Sequence, residues 1–196
     1  MDKEVKVLKT NSNDLVCQGD IFKNVKYYFS VKEDNDGVDI TELTFPYVVI
    51  LSQSCDTYFM SDLIEKSTTQ NPATNNKFMY SFLVAPIYNL EALRTGDFFE
   101  DDSNIINMKK TEQLNSRDKS FAETDMHCRY YLFPSKDIFP LSAIDFKHYF
   151  TLNAETLMEN RDNRLGKFDY EHTLKIVNKF ASFLTRVGIT DEEKDD

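Results

Sequence analysis

Between Leu15 and Gln53 the apolar residues come in short blocks separated by polar turn residues, a pattern that predicts strands rather than helices. Leu15 to Phe22 and Val25 to Val31 form two blocks, "DNDG" at 34–37 supplies a turn, and "DITELTFPYVVILSQ" forms the return, which is the grammar of a hairpin. In the return, Tyr47, Val49 and Leu51 alternate with Val48 and Ile50. Both faces are therefore apolar, and the strand is expected to lie centrally in its sheet. A short strand is also expected at "EVKVLK" in the polar lead-in.

After Asp56 the period changes. Phe59, Met60, Leu63 and Ile64 recur at helical spacing, and a polar loop, "EKSTTQNPATNNK", follows. "FMYSFLVAPIYN" predicts another buried strand and "LEALRTGDFF" a short helix ended by Gly96. Residues 100–125 are polar, with a helix expected at "NIINMKKTEQLN", and are taken as an insertion. "MHCRYYLFP" and "AIDFKHYFTL" predict a second strand pair, and "NAETLMEN" a short helix. The last helix is expected over Tyr170 to Val187, capped by Asp169 and closed by Gly188. Its stripe of Tyr170, Leu174, Val177, Ala181 and Leu184, widened by Ile176, Phe180, Phe183 and Val187, predicts a mostly buried helix.

This is an α+β pattern in 196 residues, of which 41% are hydrophobic and 13% aromatic, enough for one core. A single domain is expected over residues 1–190, with an acidic, disordered tail at 191–196. The formal net charge of -10 repels phosphate backbones, so nucleic acid is not the expected partner; a protein is. No run approaches the length of about 18 apolar residues that a membrane span needs, and the charged opening does not read as a secretory leader, so a cytoplasmic location is expected. The three cysteines, at 17, 55 and 128, fit reduced thiols there.

Candidate chemistry gathers where the central strand ends, at Gln53-Ser54-Cys55-Asp56. A thiol entering a helix N-terminus meets unpaired N–H groups that favour the thiolate, which would suit a nucleophile; the neighbouring Asp56 carboxylate opposes it, and a packed thiol is the alternative. Asp56 is expected to cap the helix or to hold an arginine. In "MHCRYYLFP", alternation places Met126, Cys128, Tyr130 and Leu132 on one face, expected in the core. His127, Arg129, Tyr131 and Phe133 take the other face, where His127 could serve Cys55 as a base and Arg129 could bind an anion. The alternative is an ion pair from Arg129 to Asp56 or Asp20, with His127 on the surface. Catalytic candidates are thus Cys55, His127 and Asp56, and binding candidates Gln53, Arg129, Tyr131 and Asp20. Asp20 is also expected to serve its own turn, with Gly19 permitting an unusual dihedral. The three cysteines and His127 lack the close Cys-x-x-Cys pairs of a zinc site, so neither metal nor cofactor is expected.

"QGDIF", the hairpin, Pro46 with "YVVILSQ", and then "FLVAPIYN" follow one another in an order that resembles the MazF/PemK toxins, over about the first 95 residues. The resemblance implies a small SH3-like β-barrel, here with added strands, the insertion and the long C-terminal helix. In that family an Arg and a Thr support ribonuclease chemistry; the matching positions here hold Phe45 and Tyr88, neither of which is a cation. Over the whole chain, Gly19-Asp20-Ile21, Gln53-Ser54-Cys55-Asp56, His127 to Pro134 and Arg186-Val187-Gly188 resemble a family of poorly characterised bacterial proteins. That likeness implies a bacterial or phage origin and a toxin–antitoxin or phage-defence neighbourhood. The leading expectation is a non-catalytic interaction or regulatory protein. The alternative is a cysteine-dependent hydrolase or transferase using Cys55 with His127, and a third reading is a nuclease built on other residues.

Overall fold

A computed structural model of the chain describes residues 6–11, 14–34, 37–66, 76–95, 129–133 and 139–185. The expected insertion, the acidic tail, His127, Cys128 and Arg186 to Gly188 lie outside them. The strands are β1 (Val7–Leu8), β2 (Asp20–Asp34), β3 (Gly37–Ile50), β4 (Ser81–Asn89), β5 (Tyr130–Phe133), β6 (Ser142–Asp145), β7 (Phe150–Asn153) and β8 (Arg164–Phe168). The helices are α1 (Ser54–Lys66), α2 (Leu90–Thr95), α3 (Ala154–Glu159) and α4 (Tyr170–Leu184). The strands form one curled antiparallel sheet in the order β1-β8-β2-β3-β4-β6-β5, with β7 also paired to β4, which makes an α+β half-barrel on which α4 packs through Ile176 and Phe180.

The expected hairpin forms, with Asp34 facing Gly37, but β2 runs unbroken from Asp20 and leaves Leu15 to Gly19 outside the strand. Pro46 sits inside β3, where it cannot donate to a ladder, and Asn24 on the neighbouring strand adopts a positive φ of 54°. The apolar alternation skips a beat there: Phe45 and Val48, three residues apart, enter the same core.

Alternation along β3 and β4 sorts the core in two. Val49, Leu51, Ala85 and Ile87 join Phe133, Phe139, Phe146 and Phe168 under Ile176 and Phe180 of α4. Val48, Ile50, Phe82, Val84 and Tyr88 face Met60 of α1 and Leu157 and Met158 of α3.

Three expectations need correction. Tyr131 and Phe133 are the buried members of β5, while Tyr130 and Leu132 are only half-buried, so the face holding Arg129 is the core-facing one. The reason is aromatic packing: Phe133 lies 5.6 Å from Phe139 and 5.3 Å from Phe168, ring centre to ring centre, a cluster that no short-range pattern reveals. "AIDFKHYFTL" is not one strand, because the Asp145 carboxylate accepts the Lys147 N–H and caps a 3₁₀ turn at Phe146–His148 between β6 and β7. Helix α4 starts as expected, with Asp169 accepting from the His172 N–H, but it ends at Leu184 and buries the narrower line His172, Ile176 and Phe180; Tyr170, Leu174 and Leu184 stay exposed. A further strand, β8, forms where periodicity assigns none.

Among the described residues, β2 and β3 pair only with each other between Lys23 and Tyr47, since β8 leaves β2 at Phe22 and β4 meets β3 at Val48. A register shift between Tyr28 and Ser30 makes Phe29 the extra residue of a bulge. The cross-strand pairs then place Tyr28, Val31, Glu33, Val38, Ile40 and Glu42 on one face, and Ser30, Lys32, Asp39 and Thr41 on the other. The first face is the apolar one, and Tyr28, Phe29, Val31, Val38 and Ile40 are each more than half exposed.

Candidate functional site

After Ile50 the chain turns sharply into α1. The Leu51 and Ser52 N–H groups donate to the Leu83 carbonyl at 2.8 and 3.3 Å, and Ser52 Oγ accepts the Leu83 N–H at 2.8 Å. Gln18 reinforces the turn through Nε2 to the Leu51 carbonyl (2.7 Å) and its N–H to Ser54 Oγ (3.1 Å). The polar residues that end the central strand thus build the strand-to-helix corner.

Cys55 is exposed on this corner, not packed. Its Sγ lies 3.6 Å from Gln53 Oε1 and 3.7 Å from Asp56 Oδ1. Asp56 is not the cap: the helix begins at Ser54, the Gln53 carbonyl accepts the Asp56 N–H at 3.1 Å, and Asp56 falls within the first turn, where its charge suits the helix dipole. On accessibility alone, Cys55 should react with iodoacetamide in the folded protein faster than the half-buried Cys17, as read by mass spectrometry of the labelled peptides; equal rates would contradict this exposure.

Arg129 joins neither Cys55 nor Asp56 nor Asp20. It forks onto Asp145, with Nε to Oδ1 at 2.8 Å and Nη2 to Oδ2 at 2.6 Å, while its guanidinium lies 4.7 Å from the Tyr130 ring centre. Asp145 is fully buried at the end of β6, and the fork pushes the already high Arg129 pKa further up. His148 Nδ1 lies 3.3 Å from Asp145 Oδ2 and 3.0 Å from the buried Tyr88 hydroxyl. In a neutral ring that nitrogen either donates to Asp145 or accepts from Tyr88. Burial, against the pull of Asp145, holds His148 below its ordinary pKa, and burial pushes Tyr88 well above its own.

Neither His148 nor Asp145 stands out in the sequence, where both fall inside the expected strand "AIDFKHYFTL". The signal was present in the i, i+3 spacing of Asp145 and His148, but the partners come from β4 and the residue before β5. The lowered His148 pKa has a linkage consequence. Its stabilising contribution is full above the unfolded value of 6.5 and is lost as pH falls through the folded value. A proton-NMR titration should give His148 a midpoint below 6.5, and a midpoint at or above it would refute the burial argument.

The other candidates are buried. Tyr131 is buried in the first core. Asp20, only 1% exposed, accepts the Cys17 N–H at 2.8 Å and pairs with the equally buried Arg164 through Nη1 at 3.0 Å. Gly19, at a φ of 88°, allows that turn, as expected. Arg164 also donates to the carbonyls of Asn11, Asp14 and Leu15, so the pair clasps the N-terminal segment to β8. Burial raises the Asp20 pKa despite the opposing Cys17 N–H and Arg164.

Among the described residues no group of three or more His, Cys, Asp or Glu side chains is placed to hold a metal ion, and no helix is long and apolar enough to cross a membrane. No family model matches the chain, and no curated protein matches it.

Proposed function

We propose that the protein is a non-catalytic interaction or regulatory module on a degenerate MazF/PemK-like barrel, acting in a bacterial cytoplasm in a toxin–antitoxin or phage-defence setting. The observation that carries this reading is the β2–β3 ribbon, which holds Tyr28, Val31, Val38 and Ile40 on one exposed face and polar residues on the other. A two-stranded ribbon has little stability of its own, and an apolar face held in water marks a contact surface. The barrel likeness rests on the order of Gly19-Asp20-Ile21, the hairpin, the Pro46 strand and the Pro86-Ile87 strand in a curled antiparallel sheet. Where the toxins carry their catalytic pair, Phe45 and Tyr88 pack edge to face at 6.5 Å.

A photo-crosslinking residue at Val31 should give a discrete cross-linked species in host cells, and the same residue at Lys32, on the polar face, should give none. Equal capture from both faces, or from neither, would remove the ribbon as the contact surface.

A second reading, a phosphodiesterase on residues other than the toxins', is favoured by the meeting of Arg129, His148 and Tyr88. A neutral His148 would take the proton of an attacking hydroxyl. Arg129 Nη1, outside the Asp145 fork, would face the charge developing on phosphate. RNA and DNA left intact by the wild-type chain would dismiss it; cleavage lost in both His148→Ala and Arg129→Ala would displace the interaction reading.

A further inference from the structure

Resting on the interaction reading, we infer that the ribbon's partner is a second copy of this chain, packed face to face about a two-fold axis with the ribbons antiparallel. The charges on the apolar face point to this occupant. Lys26 stands at the base of the ribbon, where it reaches Glu42 at 3.0 Å, and its side chain is largely exposed. Glu33 stands exposed near the tip on the same face, opposite Val38 in the ladder. Between them lie the apolar Tyr28, Val31 and Ile40, with Glu42 beside Tyr28 and held by Lys26.

A two-fold axis through the middle of this patch sets the base of one ribbon against the tip of the other. Lys26 of each copy then meets Glu33 of its mate, and the apolar residues of the two faces cover one another. A parallel arrangement would bring Glu33 against Glu33 and Lys26 against Lys26, which like-charge repulsion disfavours. A surface complementary to itself under a two-fold rotation is what an isologous dimer requires, because each contact is made twice. Face packing also tolerates the bulge at Phe29, which would break an edge-to-edge strand pairing. The acidic members of the face, with a chain charge of -10, argue against an anionic lipid surface as the occupant.

Sedimentation velocity on the full chain tests this. The expected species has twice the 22.9 kDa chain mass at concentrations of about 10–100 µM and dissociates on dilution. Ile40→Lys should give monomer with an unchanged circular dichroism spectrum. Glu33→Lys should weaken the dimer by about tenfold or more, and so should Lys26→Glu, which also sets a carboxylate beside Glu42; the combined swap should dimerise more tightly than either single variant, since the pair across the axis is rebuilt with its signs exchanged. A wild-type monomer throughout that range, or a dimer indifferent to Ile40→Lys, would overturn the self-pairing. A monomer whose Val31 position still cross-links to a different protein would leave the interaction reading standing; a monomer that also fails the Val31 against Lys32 comparison would end both.

Discussion

Replacing Asp20 by alanine is expected to cost about 3–5 kcal/mol of folding stability, the usual penalty for leaving a buried charge without its partner. Arg164 is as buried as Asp20, and its bonds to the carbonyls of Asn11, Asp14 and Leu15 hold it in place after the carboxylate has gone. The raised Asp20 pKa sharpens the prediction, because it means that desolvation outweighs the attraction of Arg164. The pair is thus a weak source of stability when whole and an expensive one to halve. A second replacement, Arg164→Met on the Asp20→Ala background, should recover part of the loss, although three carbonyls then lose their donor. Urea denaturation of the two single variants and the double variant measures this cycle. Near-additive losses would show that the two side chains act separately.

Phe133→Ala should cost about as much, 3–5 kcal/mol, by opening a cavity among Phe139, Phe168 and Tyr131. The informative comparison is with its neighbour. Leu132 is half-buried on the other face of β5, and Leu132→Ala should cost less than about 1.5 kcal/mol. A larger loss at Leu132 would return β5 to the orientation that simple alternation suggests. That outcome would also move Arg129, since its place just before β5 depends on how the strand faces the core.

These two experiments address different kinds of information in the chain. The hairpin, the central strand, the start of α4 at Asp169 and the turn at Gly19 were all legible, because each depends on neighbours within a few positions. The orientation of β5 was not. A four-residue strand alternating aromatic and aliphatic residues offers two apolar faces of similar size, and only Phe139 and Phe168, distant in sequence, decide which is buried. The same holds for α4, whose broad stripe admitted several docking faces until β5, β6 and β8 selected Ile176 and Phe180.

The candidate sites divide in the same way. Gln53 to Asp56 stood out because a polar corner after an apolar strand is a local anomaly, and the structure gives that corner its role at the entry to α1. The Asp145 cluster was hidden because its four side chains come from β4, the residue before β5, the end of β6 and the turn after it, and no single stretch contains more than two of them.

By itself, then, the sequence determined the α+β character, the hairpin and the strand-to-helix corner, since backbone preference, period and turn chemistry act over a few residues. The tertiary structure alone decided which faces are buried, which acids Arg129 and Arg164 hold and where an apolar face is left in water, because those outcomes follow from desolvation and packing between segments far apart in the chain.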